Sequence, residues 1–436
     1  MIEITGCKST FCDGLTRRDC IRVGSLGIGS LTLASLLQQR SLAKSPAKTS
    51  VIFLELAGGP SQFETYDPKP EAPIEYRGMF GSVGTTLTGV RFCDLMQEQA
   101  KITDKLAIVR SVEHASSSHD PSSHLTQTGY YKQGRKGGPN EMPCVGSVAA
   151  KLRGSNTPGV PSYVAIPNVM RNGKASFLGN AYAPFETGGD PNLRDFRIRN
   201  LSVDGVSVPR MKNRQGLLQA LDSWRTFRDR ANDITAIDEF TQQAFELTTS
   251  SRAQNAFNMD AEPDDVRDRY GRTSVGQGML LSRRLIEAGV TFVSVRVTGW
   301  DDHKQIEKRM NEKGPGFDRG VAALVDDLYD RGMSDDVMVV AMGEFGRTPR
   351  VNKDAGRDHW GAVMSVMLSG GGLRVGQIVG NTTPTGDRPS EAPYRPEDVL
   401  AMIYRHLGID PSTTITDHAG RPRYLLENPR LITELL

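Results

Sequence analysis

A chain of 436 residues is long enough for one large α/β domain or two smaller ones. Its 53 Lys+Arg against 51 Asp+Glu give a net charge of +2, so no basic excess points to nucleic acid as the main partner. A hydrophobic share of 38% and a charged share of 24% exclude both a disordered chain and a multi-span membrane protein.

The first segment reads as an address. Thr16-Arg17-Arg18-Asp19-Cys20-Ile21-Arg22 sets a twin arginine before a mildly apolar run from Val23 to Leu37, and Ser41-Leu42-Ala43 follows as a small-x-small cleavage site. That order is the layout of a bacterial twin-arginine export signal over residues 1–43. The apolar run falls short of the roughly 20 residues that cross a bilayer. We expect export to the periplasm or cell envelope with no stable membrane span after cleavage; a retained N-terminal anchor is the alternative. Removing the signal leaves 48 basic and 48 acidic residues and only Cys93 and Cys144, enough for one disulfide in an oxidising compartment.

The mature chain alternates strand and helix patterns. Val51–Leu56 is a buried strand followed by the turn Ala57-Gly58-Gly59-Pro60-Ser61-Gln62, and Leu106–Val109 is a second strand. Val145–Leu152 has helical spacing, and Ser162–Ile166 is a strand. A polar helical stretch over about residues 210–265 reads as an insertion or cap. Met279–Ala288 then reads as a helix, Thr291–Val297 as a strand, Phe317–Arg331 as an amphipathic helix, Val337–Met342 as a strand and Pro396–Leu407 as a late helix. Apolar strand runs interleaved with helices predict a mostly parallel sheet covered on both faces. The Gly/Pro-rich stretches 135–143 and 382–396 read as surface loops.

Polar groups cluster just beyond these strands, where ligands bind in open α/β sheets. His114, His119 and His124 fall within eleven residues, with Pro121 in a first helical turn and Ser118 or Asp120 as its cap. Trp300-Asp301-Asp302-His303 follows the Val297 strand, and carboxylate with imidazole is an ordinary ligand set for Zn²⁺ or Mn²⁺. Glu344-Phe345-Gly346-Arg347 follows the Met342 strand, and Arg357-Asp358-His359-Trp360 comes soon after. Glu344 is a candidate ligand or general base, and the Arg347 and Arg357 forks suit an oxyanion. The competing assignment for the arginines is a loop-locking ion pair, Arg347 with Asp302 or Arg357 with Glu344. No GxxxxGK[ST] or GxGxxG pattern occurs at the first turn, so nucleotide binding is not expected there.

Gly58-Gly59-Pro60-Ser61 with Asp67-Pro68-Lys69-Pro70, Trp300–His303, Gly343-Glu344-Phe345-Gly346-Arg347-Thr348-Pro349 and Gly356–Trp360 resemble the bacterial family called domain of unknown function 1501. The resemblance covers nearly all of the mature chain. That family is grouped with the alkaline phosphatase-like superfamily of sulfatases, phosphatases and cofactor-independent phosphoglycerate mutases. The resemblance implies an α/β/α sandwich with a metal site at the strand ends. His119-Asp120-Pro121-Ser122-Ser123 through Thr128-Gly129 is similar to the sulfatase Cys/Ser-x-Pro-x-Arg…Thr-Gly signature, with His119 at the nucleophile position and Ser123 at the arginine position. Ala57 and Gly58 stand where metal-dependent members end their first strand in an Asp ligand, and Glu344-Phe345 stands for their Asp-His pair. Asp301, Asp302, His303 and His359 resemble the ligands of the other metal position, with Asp358 beside them.

Two functions follow. In the first, an exported hydrolase cleaves a small sulfate or phosphate ester. Asp301, Asp302, His303, Asp358 and His359 supply one site for Zn, Mn or Ca, which would lower the pKa of water toward about 7. His119, Glu344, Arg347 and Arg357 would then serve catalysis, the arginines and His119 by stabilising an anionic transition state. Ser118 or Ser122 could replace the missing nucleophile. The alternative is a non-catalytic exported protein that binds an anion or glycan.

Overall fold

The computed structural model describes residues 48–135, 137–198 and 250–436. The twin-arginine segment and residues 210–249 of the expected insertion lie outside the described residues.

Eight strands form the central sheet: β1 (Ser50–Leu56), β2 (Ala107–Val112), β3 (Tyr163–Ile166), β4 (Phe185–Glu186), β5 (Phe292–Val297), β6 (Val337–Gly343), β7 (Met364–Gly370) and β8 (Gln377–Val379). Their order is β8-β2-β7-β6-β1-β5-β3-β4. All pairings are parallel except those of β7, which runs antiparallel to β6 and β2. The helices of seven or more described residues are α1 (His119–Thr128), α2 (Val145–Arg153), α3 (Ser251–Phe257), α4 (Asp264–Tyr270), α5 (Ser274–Ala288), α6 (Ile306–Asp330) and α7 (Pro396–His406).

β1 shows why the strands read as unbroken apolar runs: all seven of its residues are buried. Ile52, Leu54 and Leu56 point into a core built with Met279 and Leu280 of α5 and Phe317, Val321 and Leu324 of α6. Val51 and Phe53 point the other way, into a core built with Val145 and Val148 of α2 and Val399, Leu400 and Ile403 of α7. Alternate residues therefore feed two apolar layers: the sheet is covered on both faces, as the patterning predicts, in the α/β/α sandwich that the resemblance implies.

The structure departs from the sequence expectations in several places. Helix α6 begins at Ile306, eleven residues before the predicted Phe317, and runs through Gly314-Pro315-Gly316. Burial of Ile306 and Met310 outweighs the breaker sequence. Strand β7 went unpredicted, as did the edge strands β4 and β8. Cys93 and Cys144 are both buried free thiols, so they form no disulfide with each other; the Cys144 thiol donates to Ser147 Oγ instead. At the described end of the expected insertion, Ala253, Ala256 and Phe257 of α3 are buried in the same core as Ile52, Leu54 and Leu56 of β1.

The register brings the functional loops to one edge. Leu56 lies opposite Val297 on one side and Gly343 on the other, so β1, β5 and β6 end level. Because β7 is antiparallel, its first residue, Met364, pairs with Val112 at the end of β2. The chain entering β7, which carries Arg357 to Trp360, thus arrives at the same edge as the chain leaving the parallel strands.

On α6, the buried Asp318 accepts the backbone N–H groups of Glu98 (2.8 Å) and Gln99 (2.9 Å). Burial nevertheless pushes its carboxyl from 3.8 up to about 6. A group that holds its proton more tightly when folded loses stability as pH rises through that window. Asp318→Asn should therefore gain on the wild type by about 1–3 kcal/mol between pH 4 and pH 7, read from urea unfolding at both pH values. A constant difference would contradict the assignment.

Candidate metal centre

Asp301 is the hub. It follows Trp300, which is fully buried and packs edge-on against Phe317 of α6 with ring centroids 5.2 Å apart. The Trp300 backbone N–H donates to the Ala57 carbonyl at 3.1 Å, tying the loop after β5 to the turn after β1. Gly58 permits that approach: its φ is +113°, and a Cβ there would lie 2.6 Å from the Asp301 nitrogen.

Arg347 holds the Asp301 carboxylate. Its side chain is 0% exposed, while that of Asp301 is 43% exposed. Arg347 Nη2 donates to Asp301 Oδ1 at 2.7 Å and to the Trp300 carbonyl at 2.9 Å, and also to the Gly58 carbonyl. Nε donates to the Gly59 carbonyl at 2.8 Å and Nη1 to the Arg357 carbonyl at 3.0 Å. The Gln62 amide pins the Arg347 backbone, donating to its carbonyl and accepting its N–H, each at 2.9 Å. Burial opposes ionisation of Asp301, but the hydrogen bond and charge of Arg347 override it and hold the carboxyl well below the usual range.

Three imidazoles surround this carboxylate, and each is anchored at Nδ1. His119 Nδ1–H donates to Glu344 Oε2. His303 Nδ1–H donates to Asp358 Oδ1 at 2.6 Å, and His359 Nδ1–H donates to the Ser117 carbonyl at 3.0 Å. The free Nε2 atoms then face Asp301: His119 at 3.3 Å from Oδ2, His359 at 3.0 Å and His303 at 3.1 Å from Oδ1. The Nε2 atoms of His303 and His359 lie 2.9 Å apart. With Nδ1 protonated on each ring, these are lone pairs facing one another and a carboxylate. A shared cation would relieve that crowding. A proton serves one pair, whereas a metal ion serves all of them at once. The backing of each imidazole by a carboxylate or carbonyl is the arrangement that fixes a ligating tautomer. His119, Asp301 and His359 together have the spacing of a three-ligand metal site. Their nitrogens and oxygen suit a borderline ion such as Zn²⁺ or Mn²⁺.

Around the centre, Phe345 is fully buried and lies under two of the rings, with centroids 4.4 Å from His359 and 5.3 Å from His119. Hydrogen bonding to Glu344 raises the His119 pKa, and burial lowers that of His359. His114 Nε2–H donates to the Glu344 carbonyl at 2.8 Å. Glu344 Oε1 is buried with no hydrogen bond and faces Arg171 Nε at 3.6 Å.

The geometry redistributes the sequence assignments. His119, expected in catalysis, turns its Nε2 to the same carboxylate, Asp301, as His303 and His359 do. Asp358 and Glu344 stand behind histidines. Asp302 is turned away: its carboxylate takes Arg309 at 2.7 Å and Lys313 at 2.5 Å, locking the loop onto α6. Arg357 is not available to a substrate, because it is fully buried and all five of its N–H groups are spent. They go to Glu64, Tyr76, Thr348 and Pro349. The locking partners are thus Asp301 for Arg347 and Glu64 for Arg357, not Asp302 and Glu344. His124 belongs to a structural turn, its Nδ1–H donating to the Tyr130 carbonyl at 2.6 Å and Nε2 accepting the Glu141 N–H at 3.1 Å. Ser118 occupies the N-cap place of α1 without a side-chain cap bond, and Asp120 instead accepts from Lys132 and Gly137. Sequence reasoning missed Ser117, whose role is a carbonyl, and Arg171, which lies outside every motif.

A family model described as "Protein of unknown function (DUF1501)" matches residues 48–436. The chain belongs to this family. No curated protein matches it. Solved structures similar to this DUF1501 chain include the PsFucS1 sulfatase from Pseudoalteromonas sp., 12% identical, covering 85% of this chain and 72% of that one with a TM-score of 0.38. Alkaline phosphatase from the Antarctic bacterium TAB5 is 10% identical, covering 83% of this chain and 99% of that one with a TM-score of 0.35. The lipoteichoic acid synthase LtaP from Listeria monocytogenes is 8% identical, covering 84% and 73%, with a TM-score of 0.32. Similarity at this level assigns neither activity nor substrate to this DUF1501 member.

The buried Arg357–Glu64 pair carries a stability test. Arg357→Ala leaves the Glu64 carboxylate uncompensated, and should cost about 3–5 kcal/mol of unfolding free energy. Removing both partners should cost clearly less than the sum of the single losses in a double-mutant cycle read by denaturant unfolding. Additive losses would show that the two side chains do not act as a pair.

Proposed function

We propose that this chain is a metal-dependent hydrolase of a sulfate or phosphate ester, exported by the twin-arginine segment Thr16–Arg22. One observation carries the reading: three imidazoles, each anchored at Nδ1, direct Nε2 toward a single carboxylate that a buried arginine keeps ionised.

His119, Asp301 and His359 would hold a divalent cation, with His303 facing the same point. The ion supplies Lewis acidity toward an ester oxygen and toward water. Glu344 and Asp358 keep the His119 and His303 rings oriented and raise their basicity as ligands. Phe345 closes the floor of the site against water. Asp301, Glu344 and Asp358 are set against Arg347 and Arg171, so a divalent ion would leave the centre about one positive charge in excess, which attracts an anionic ester group. Among the described residues, no helix is long and apolar enough to cross a membrane.

One feature supports the second reading, a non-catalytic anion- or glycan-binding protein. The position of the superfamily nucleophile belongs to His119, and the Ser122 hydroxyl is spent on Ser116 in a buried contact.

The test uses the full chain incubated with Zn²⁺ or Mn²⁺, with bound metal counted by elemental mass spectrometry and turnover read on aryl phosphate and aryl sulfate panels. About one ion per chain is expected. His119→Ala and Asp301→Ala should lose it, and Glu344→Gln should weaken uptake about 10–100-fold. Uptake with ester cleavage supports the hydrolase; uptake with anion binding and no cleavage supports the second reading. A chain that takes no metal overturns the metal-dependent mechanism.

A further inference from the structure

We propose that Arg171 is the residue that binds the anionic group of the substrate. The inference rests on the ester-cleaving reading of the metal centre for its chemistry and on Arg171's own geometry for its position.

Neither arginine singled out by the sequence can do this work. Arg347 and Arg357 are both 0% exposed and committed to backbone carbonyls and carboxylates. Arg171 is 42% exposed, and its Nε lies 3.6 Å from Glu344 Oε1. That distance is an ion pair without a hydrogen bond. Among the described residues, Glu344 is the carboxylate that pairs with its guanidinium. Glu344 Oε1 is itself buried and unpartnered, and the other oxygen of the same carboxylate holds His119. The guanidinium therefore stands one carboxylate away from the metal-facing imidazole, with donors to spare.

The backbone beneath it is fixed. The Arg171 N–H donates to the buried Glu55 Oε1 at 3.1 Å. The next residue, Asn172, donates through Nδ2 to the Asp120 carbonyl at 3.0 Å and to Ser123 Oγ at 2.7 Å. Both acceptors lie on α1, which His119 begins. The arginine is thus registered to a metal-facing histidine through one helix, while its head stays free. A guanidinium fork binds two oxygens of a phosphate or sulfate at once, which an ammonium cannot reproduce.

The test is calorimetric titration of inorganic sulfate and inorganic phosphate into the full chain, before and after loading with Zn²⁺ or Mn²⁺. Wild type, Arg171→Gln and Arg171→Lys are compared, with metal content and melting temperature measured on each sample. Arg171→Gln should weaken anion affinity by about tenfold or more at unchanged metal content, and Arg171→Lys should recover only part of it. Equal affinity in wild type and Arg171→Gln overturns the assignment and leaves the metal centre standing, as does full recovery by lysine for the fork geometry. Absence of anion binding in the wild type also overturns it. Arg171-dependent binding in a chain that takes no metal keeps the assignment and removes the metal-dependent hydrolase.

Discussion

The buried Arg347 guanidinium beneath the Asp301 carboxylate is the interaction on which the site depends. A fully buried cation is tolerated only when its N–H groups are met and its charge is countered. Asp301 supplies the charge, and the carbonyls of Gly58, Gly59, Trp300 and Arg357 supply acceptors. Those carbonyls come from three separate loops, so one side chain holds the mouth of the sheet together. The demand propagates outward. Gly58 and Gly59 take positive φ to turn their carbonyls inward, and Gln62 clamps the Arg347 backbone from the same turn. The reward is a half-exposed carboxylate that stays ionised among imidazoles.

The antiparallel strand β7 is the second constraint. In an all-parallel sheet, chain entering a strand arrives at the amino edge, away from the site. Reversal of β7 delivers His359 to the carboxyl edge and pairs it with Arg347 in a two-residue ladder. That ladder is why His359 and Asp301 share a neighbour. The close approach also needs Gly356, where a Cβ would sit 2.1 Å from the His303 carbonyl carbon. The site is built from segments far apart in sequence, and the sheet register sets their relative positions.

Arginines here divide by solvation. Arg347 and Arg357 are structural because burial removed their exchange with water and the backbone took all or most of their donors. Arg171 keeps its donors because its head remains at the surface. The same division applies to the carboxylates: Asp302 is consumed by Arg309 and Lys313, whereas Asp301 keeps a face toward three imidazoles. Chemical type nominated these residues equally, and only their surroundings separate framework from centre.

Fold class was legible from local pattern. Apolar runs such as Val51–Leu56 and Val337–Met342, spaced by helical segments, sufficed for a two-sided parallel sheet, because burial on both faces writes itself into consecutive residues. The loops that carry the centre were legible too, as polar segments placed after predicted strands. Helix α6 was half hidden, since Gly314-Pro315-Gly316 argues locally for a break that packing of Ile306 and Met310 overrules. Within the loops, sequence by itself determined which residue types reach the carboxyl edge: His119, Asp301, His303, Glu344 and His359. It left undecided that Asp301 and not its neighbour Asp302 faces the histidines, that Arg357 pairs with Glu64, and that Arg171 stands beside Glu344. Those assignments depend on side-chain direction and on contacts between segments more than a hundred residues apart in several cases. Only the tertiary structure, through strand register and the burial of competing charges, decides them.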